Sequence, residues 1–180
     1  MLYIVECSYA DPESEAGWNT FYSEDKLPAL VSVSGFRASQ RFRALSSGCP
    51  AYLAIHTIQD ADTIASEEYR HKGGGNFARW QMHIRDWRRN LYRYSGVFPA
   101  VSESDVLLLS PEPLDFVDSE LGYQPTRLPA AGLDNNPSLR VAYILQTRKA
   151  MLLTGRDKTW IYEPITERLQ NAATQQRPSR

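Results

Sequence analysis

Cysteine is nearly absent. Only Cys7 and Cys49 occur in 180 residues, which excludes a disulfide framework and a multi-cysteine zinc site. Histidine is scarce too, with three copies, and no set of His, Cys, Asp and Glu has the spacing of a metal site. No apolar run is long enough to span a bilayer. An excess of either charge is also missing: 20 Lys and Arg stand against 21 Asp and Glu, a net charge of −1. That balance disfavours a strongly basic nucleic-acid binder and an acidic disordered chain. The start, Met1-Leu2-Tyr3-Ile4-Val5-Glu6, lacks a basic stretch and meets an acid too soon for a signal peptide. A cytoplasmic protein is therefore expected. What is present is ordinary for a globular chain: 42% apolar and 23% charged residues, at a length suited to one domain with a sizeable core.

The small total hides alternating blocks of charge. Residues 1–36 carry net −5, 37–93 net +5, 94–138 net −6 and 139–180 net +5. Such blocks can neutralise one another across a fold or a subunit interface, or present a basic face to an anionic ligand.

Leu2 to Tyr9 is β-branched and aromatic and reads as a strand. Asp11-Pro12 then starts a helix that carries Trp18, Phe21 and Tyr22 on one face. Pro28 interrupts it, and a second short piece runs to Ser34-Gly35. Phe36 to Leu45 alternates as a half-buried strand, Ser46 to Pro50 turns, and Ala51 to Ile58 returns as the partner of a hairpin. Residues 62–71 read as a helix, which Gly73-Gly74-Gly75 must interrupt. Phe77, Trp80, Ile84, Trp87 and Leu91 recur at spacings of three and four, which predicts a helix over 76–92. A fourth strand is expected within 94–101.

That order is the split βαβ pattern, so the fold class expected is α+β, with a ferredoxin-like βαββαβ unit over 1–101. Both helices should lie on one face of its sheet, and the other face needs cover. Residues 102–138 are richer in proline and acids. Short strands are expected at Val106–Leu109, 139–146 and 159–165. Residues 102–170 look too short for a second copy of the unit and read as a β-rich extension, with a disordered polar tail at 171–180. No internal repeat is visible.

The candidates for chemistry are few. His56 sits mid-strand between Ile55 and Thr57, and Glu6 sits mid-strand between Val5 and Cys7. In the expected strand order these two strands are neighbours, so Glu6 and His56 form the preferred acid/base pair, with the parity of their strands left open. Arg41 and Arg43 could clamp a carboxylate. Trp18, Tyr22 and Trp80 could wall an aromatic pocket, and His83 lies among arginines as a further contact. Gly73-Gly74-Gly75 lacks any phosphate-loop spacing and reads as a flexible break. An RNA-binding reading fails on the strand at 51–58, which carries only Tyr52 of the stacking aromatics.

The stretch Trp18-Asn19-Thr20-Phe21-Tyr22-Ser23-Glu24-Asp25-Lys26-Leu27-Pro28, followed by Val33-Ser34-Gly35-Phe36, resembles the EthD-like branch of the dimeric α/β-barrel superfamily. The likeness covers residues 1–100. It departs where relatives carry histidine, here Asp25 or Lys26, and at Ser34, where they carry proline. The resemblance implies a homodimer whose two sheets close a barrel, with pockets between sheet and helices. Its members include cofactor-free monooxygenases of polyketide quinones, lactone isomerases, decarboxylating or dehydrating enzymes, and haem-dependent proteins. The leading expectation is a cofactor-independent enzyme acting by proton transfer on an aromatic or carboxylated metabolite, by isomerisation, decarboxylation or ring opening. A non-catalytic dimeric metabolite-binding protein is the alternative. A monooxygenase, either cofactor-free or haem-dependent with His56 or His83 as the axial ligand, is the third reading. No nucleic-acid or membrane partner is expected.

Overall fold

The structure is a computed structural model, and it describes residues 1–174. Strands β1 (Leu2–Tyr9), β2 (Phe36–Ala44), β3 (Tyr52–Ile58), β4 (Ile84–Tyr92), β5 (Asp105–Ser110), β6 (Thr126–Leu133), β7 (Leu139–Gln146) and β8 (Trp160–Pro164) follow one another along the chain. They pair in the order β3-β1-β4-β6-β7-β5-β8-β2, and a β2–β3 ladder closes the circle into an antiparallel barrel. A short β9 (Leu169–Gln170) adds to the free end of β2.

Side-chain alternation explains the closure. Leu2 and Ile4 of β1 point inward, with Phe42, Leu53, Ile55, Tyr92, Leu107, Leu109 and Tyr162 from other strands. An eight-stranded barrel has an interior just wide enough for such side chains to fill. Tyr3 and Val5 point outward instead and pack under helical segments with Leu30, Val33, Phe36 and Tyr69. A separate outer core of Val106, Leu108, Val117, Val141, Tyr143 and Ile161 covers the other half.

The helical segments of the first half are α1 (Glu15–Thr20), a π-helical turn (Phe21–Lys26), α2 (Leu27–Val31) and α3 (Glu67–His71). Pro28 does not break the run, because it falls in the first turn of α2, where its missing N–H is not needed. Among the described residues no helix is long and apolar enough to cross a membrane.

Several expectations fail. Residues 76–92 are not a helix: a short 3-10 turn at Ala78–His83 leads directly into β4. Ala78 and Asp86 take positive φ values of 51° and 52°, which no helix accommodates. β4 docks along β1 from Leu2↔Tyr92 to Tyr9↔Ile84, so its ladder replaces helical hydrogen bonds. Trp87, expected in the core, is 37% exposed, whereas Phe77, Ile84 and Leu91 are buried. The fourth strand of the first half is therefore 84–92 rather than 94–101.

Residues 102–170 were expected to be too short for a second unit. They supply β5 to β8 together with helical segments at Phe116–Glu120 and α4 (Thr147–Ala150). Their strand order, β8-β5-β7-β6, repeats the β4-β1-β3-β2 order of the first half. The sheet face that needed cover is met within one chain by the second of the two expected covers, residues 102–170 rather than a partner sheet: β6 pairs with β4, and β8 with β2. Of the expected tail, Asn171 is buried and donates to the Val33 carbonyl. Residues 175–180 lie outside the described residues.

Candidate functional site

The polar groups that the core must accommodate gather on the outer face of the first half, beneath α1, the π-helical turn and α2. Ser39 and His56 are register partners across β2 and β3, and Ser39 Oγ lies 2.7 Å from His56 Nδ1. The imidazole stacks on Tyr3, its partner on β1, at 5.6 Å between ring centres and meets the Phe36 ring edge-on. His56 is fully buried, and its Nε2 has no hydrogen-bond partner. Burial, reinforced by the Lys26 charge, pushes its pKa down to about 3, so the ring is neutral at physiological pH.

Trp18, Tyr22 and Lys26 follow at intervals of four along the helical run and all three are buried. The Lys26 ammonium donates to the Gly73 and Asn76 carbonyls and lies 4.9 Å from the centre of the Phe77 ring. Burial pushes its pKa down to about 8. Tyr3 and Tyr69 join their hydroxyls at 3.0 Å. Together with Tyr22 and Phe77, these residues enclose a crevice of only about 10 Å³, room for at most one water. Its roof is the glycine segment, with φ of +87° at Gly73 and +71° at Gly75. Gly74 has no alternative, because a Cβ there would sit 2.4 Å from the Tyr69 ring.

Next to the crevice, Arg41 is buried and has no carboxylate partner among the described residues. Its guanidinium lies 4.0 Å from the Tyr22 ring centre and donates to Ser23 Oγ and to the carbonyl and side chain of Asn19. Burial pushes its pKa down to about 10. Both flanking cations, Lys26 and Arg41, are thus held by neutral oxygens and aromatic faces.

The structure parts the expected acid/base pair. Tyr3 shares the outer face with His56, so Glu6, of opposite parity on β1, points into the barrel. There its carboxylate accepts from Arg140 at 2.6 Å. The arginine clamp does not form either, because Arg43 reaches solvent and bonds Glu163 at 2.8 Å. Of the expected pocket walls, Trp18, Tyr22 and Arg41 come together. Trp80 is half-buried against Phe21. His83 lies 3.9 Å from Asp11 and against Tyr9, away from His56. Neither histidine faces an open cavity of macrocycle size in this structure: His56 lines a closed crevice, and His83 lies on a half-exposed turn against Tyr9 and Asp11.

Sequence reasoning missed Lys26, Ser39, Tyr3 and Tyr69. The spacing of Lys26 from Tyr22 and Trp18 was a usable signal. The contacts of the other three depend on register and on the docking of α3.

No family model matches the chain, and no curated protein matches it in sequence. Solved structures do match along nearly its whole length. An anthrone oxidase-like protein superposes with a TM-score of 0.55 at 10% identity, covering 96% of this chain and 94% of its own. A protein of Fusobacterium nucleatum provisionally named a monooxygenase gives 0.55 at 7% identity, with 95% and 94% covered. A similarly named protein of Lactobacillus acidophilus gives 0.52 at 9%, with 92% and 94% covered. The chain has their barrel fold. At these identities the likeness fixes architecture and carries no residue role across.

Proposed function

We propose that the protein is a small-molecule enzyme that withdraws a proton from an aromatic substrate at His56 and passes the resulting anion to dioxygen without a bound cofactor. One observation carries this reading: a fully buried, neutral imidazole whose Nε2 has no partner, lining a crevice beside the Lys26 ammonium, with the Arg41 guanidinium against the Tyr22 ring and neither cation in an ion pair among the described residues. In the tautomer in which Nδ1–H donates to Ser39, the unpartnered Nε2 keeps its lone pair and can accept a proton. Lys26 and the Tyr3–Tyr69 hydroxyls then stand as donors for an oxyanion. Aromatic walls suit a flat ring system.

The names of the structural neighbours direct the choice of substrate to an anthrone. Loss of a proton from its methylene gives an electron-rich enolate that reduces O2. Anthrone and O2 yield anthraquinone and water, so one oxygen atom enters the ring and the other leaves as water. The crevice is closed in this structure, so substrate entry requires its walls to part. We read each half as a ferredoxin-like unit, so that a single chain forms the barrel for which the resemblance implies two subunits.

The test is oxygen uptake with anthrone. The wild-type protein should consume one O2 per anthraquinone formed, and His56→Gln should slow turnover by about 100-fold or more. The acid limb of the pH profile should fall well below the imidazole's ordinary 6.5. A wild-type rate equal to buffer, or a His56→Gln rate equal to wild type, would refute the reading.

A further inference from the structure

A second concavity of about 580 Å³ lies in the other half of the barrel, between α4, β8 and the turn joining β2 to β3. Its volume falls within the range of roughly 300–1,000 Å³ typical of small-molecule sites. It sits where the internal repeat leads one to look. The crevice of the first half draws on the first strand (Tyr3), the fourth strand (Trp87) and the second helical region (Phe77). This one draws on the matching elements of the second half: Val106 of β5, Trp160 of β8 and Met151 just after α4.

Two kinds of surface meet there. Leu45 and Met151 line the concavity and expose 54% and 72% of their surface, and the adjoining Leu152 exposes 63%. Three large apolar side chains left to water in one place are unusual for a surface serving only solubility. At the same mouth stand Arg156 and Lys158, neither in an ion pair among the described residues. Arg156 packs its guanidinium 4.9 Å from the Phe116 ring centre. The one acid lining the cavity, Asp157, accepts from the Lys158 backbone N–H at 3.0 Å. Hydroxyls of Ser47 and Thr154 line the same wall.

We propose that this concavity is a second ligand site, separate from the His56 crevice, and that it takes an amphipathic anion: an apolar body against Met151, Leu45 and Trp160, with a carboxylate or sulfonate against Arg156 and Lys158. The site does not depend on the catalytic reading, because none of its residues lines the His56 crevice.

The probe is 8-anilinonaphthalene-1-sulfonate, titrated into the folded full-length protein by calorimetry and by quenching of tryptophan fluorescence. One saturable site is expected. Binding should weaken at least tenfold in Met151→Asp and in the Arg156→Gln/Lys158→Gln double variant. All three positions are solvent-facing loop or turn residues, so an unchanged melting temperature should accompany the loss. Any anthrone turnover should persist in both variants, which separates this site from the first. Binding that is absent, unsaturable or unchanged in both variants overturns the proposal. Loss in Met151→Asp with full binding in the double variant overturns the anionic part of it.

Discussion

Acid should destabilise this protein through a single buried imidazole. His56 has a pKa of about 3 in the folded chain against an ordinary 6.5, because burial strips water from the charged form and the Lys26 ammonium opposes it. The folded value is the lower one, so between these two pH values the unfolded chain binds more protons. Stability therefore falls as pH drops through that window and is fully restored above it. The full difference corresponds to about 4–5 kcal/mol, of which about 3 kcal/mol is lost by pH 4. That is a large share of a typical domain stability of about 5–15 kcal/mol. Urea unfolding at pH 7 and pH 4, followed by tryptophan fluorescence, measures it. Other groups titrate in the same range, so the decisive quantity is the difference between wild type and His56→Gln, which keeps a polar group for Ser39. Wild type should lose about 3 kcal/mol more than the variant between the two pH values. Equal losses would show that the imidazole protonates as freely as in water, and the argument from its burial would be wrong.

Three further outcomes follow from the geometry. Glu6→Gln or Arg140→Met alone should cost about 3–5 kcal/mol by urea unfolding, because each leaves a buried charge unpaired inside the barrel, whereas the double variant Glu6→Leu/Arg140→Met should recover most of that loss. Gly74→Ala should lower the melting temperature and cost about 1–3 kcal/mol, since its Cβ must displace the Tyr69 ring and with it the Tyr3 hydroxyl contact. Lys26→Met should leave the Gly73 and Asn76 carbonyls without their donor and speed amide exchange across residues 73–77 by about tenfold, a gain of about 1.4 kcal/mol in local opening. Unchanged exchange would show that the ammonium does not hold the roof down.

The first three strands and the helical run after β1 were legible from local pattern. Leu2 to Tyr9 announces itself by β-branched and aromatic residues. Phe36 to Ile58 is an alternating run and a largely apolar one around a Ser-Ser-Gly turn. The spacing of Trp18 and Tyr22 placed both on the buried face of that helical run. Strand β7 was expected at 139–146, where it occurs. The misreading of 76–92 has a clear cause: apolar residues three and four apart suit a helical stripe, yet Trp87, Arg89 and Leu91 also alternate as a strand does. Docking against β1 decided between the two. Strand β6 was missed because Pro129 and Gly132 weaken any local strand signal, and cross-strand pairing with β4 and β7 supplies what propensity does not.

Sequence alone determined that this chain builds one α+β core without disulfides, that His56 and Glu6 stand mid-strand at a cost, and that an aromatic helix covers the first sheet. These are properties of composition and of residues close in the chain. Tertiary structure alone decided which way each strand faces, and strand parity reverses every contact on a one-residue change of register. It put Glu6 with Arg140, 134 residues away inside the barrel, and left His56 outside with Ser39, Tyr3 and Lys26. It also closed the barrel within one chain, because the second half repeats the strand order of the first without repeating its residues. Strand order is set by long-range pairing of backbones, and backbone hydrogen bonds carry no record in side-chain identity.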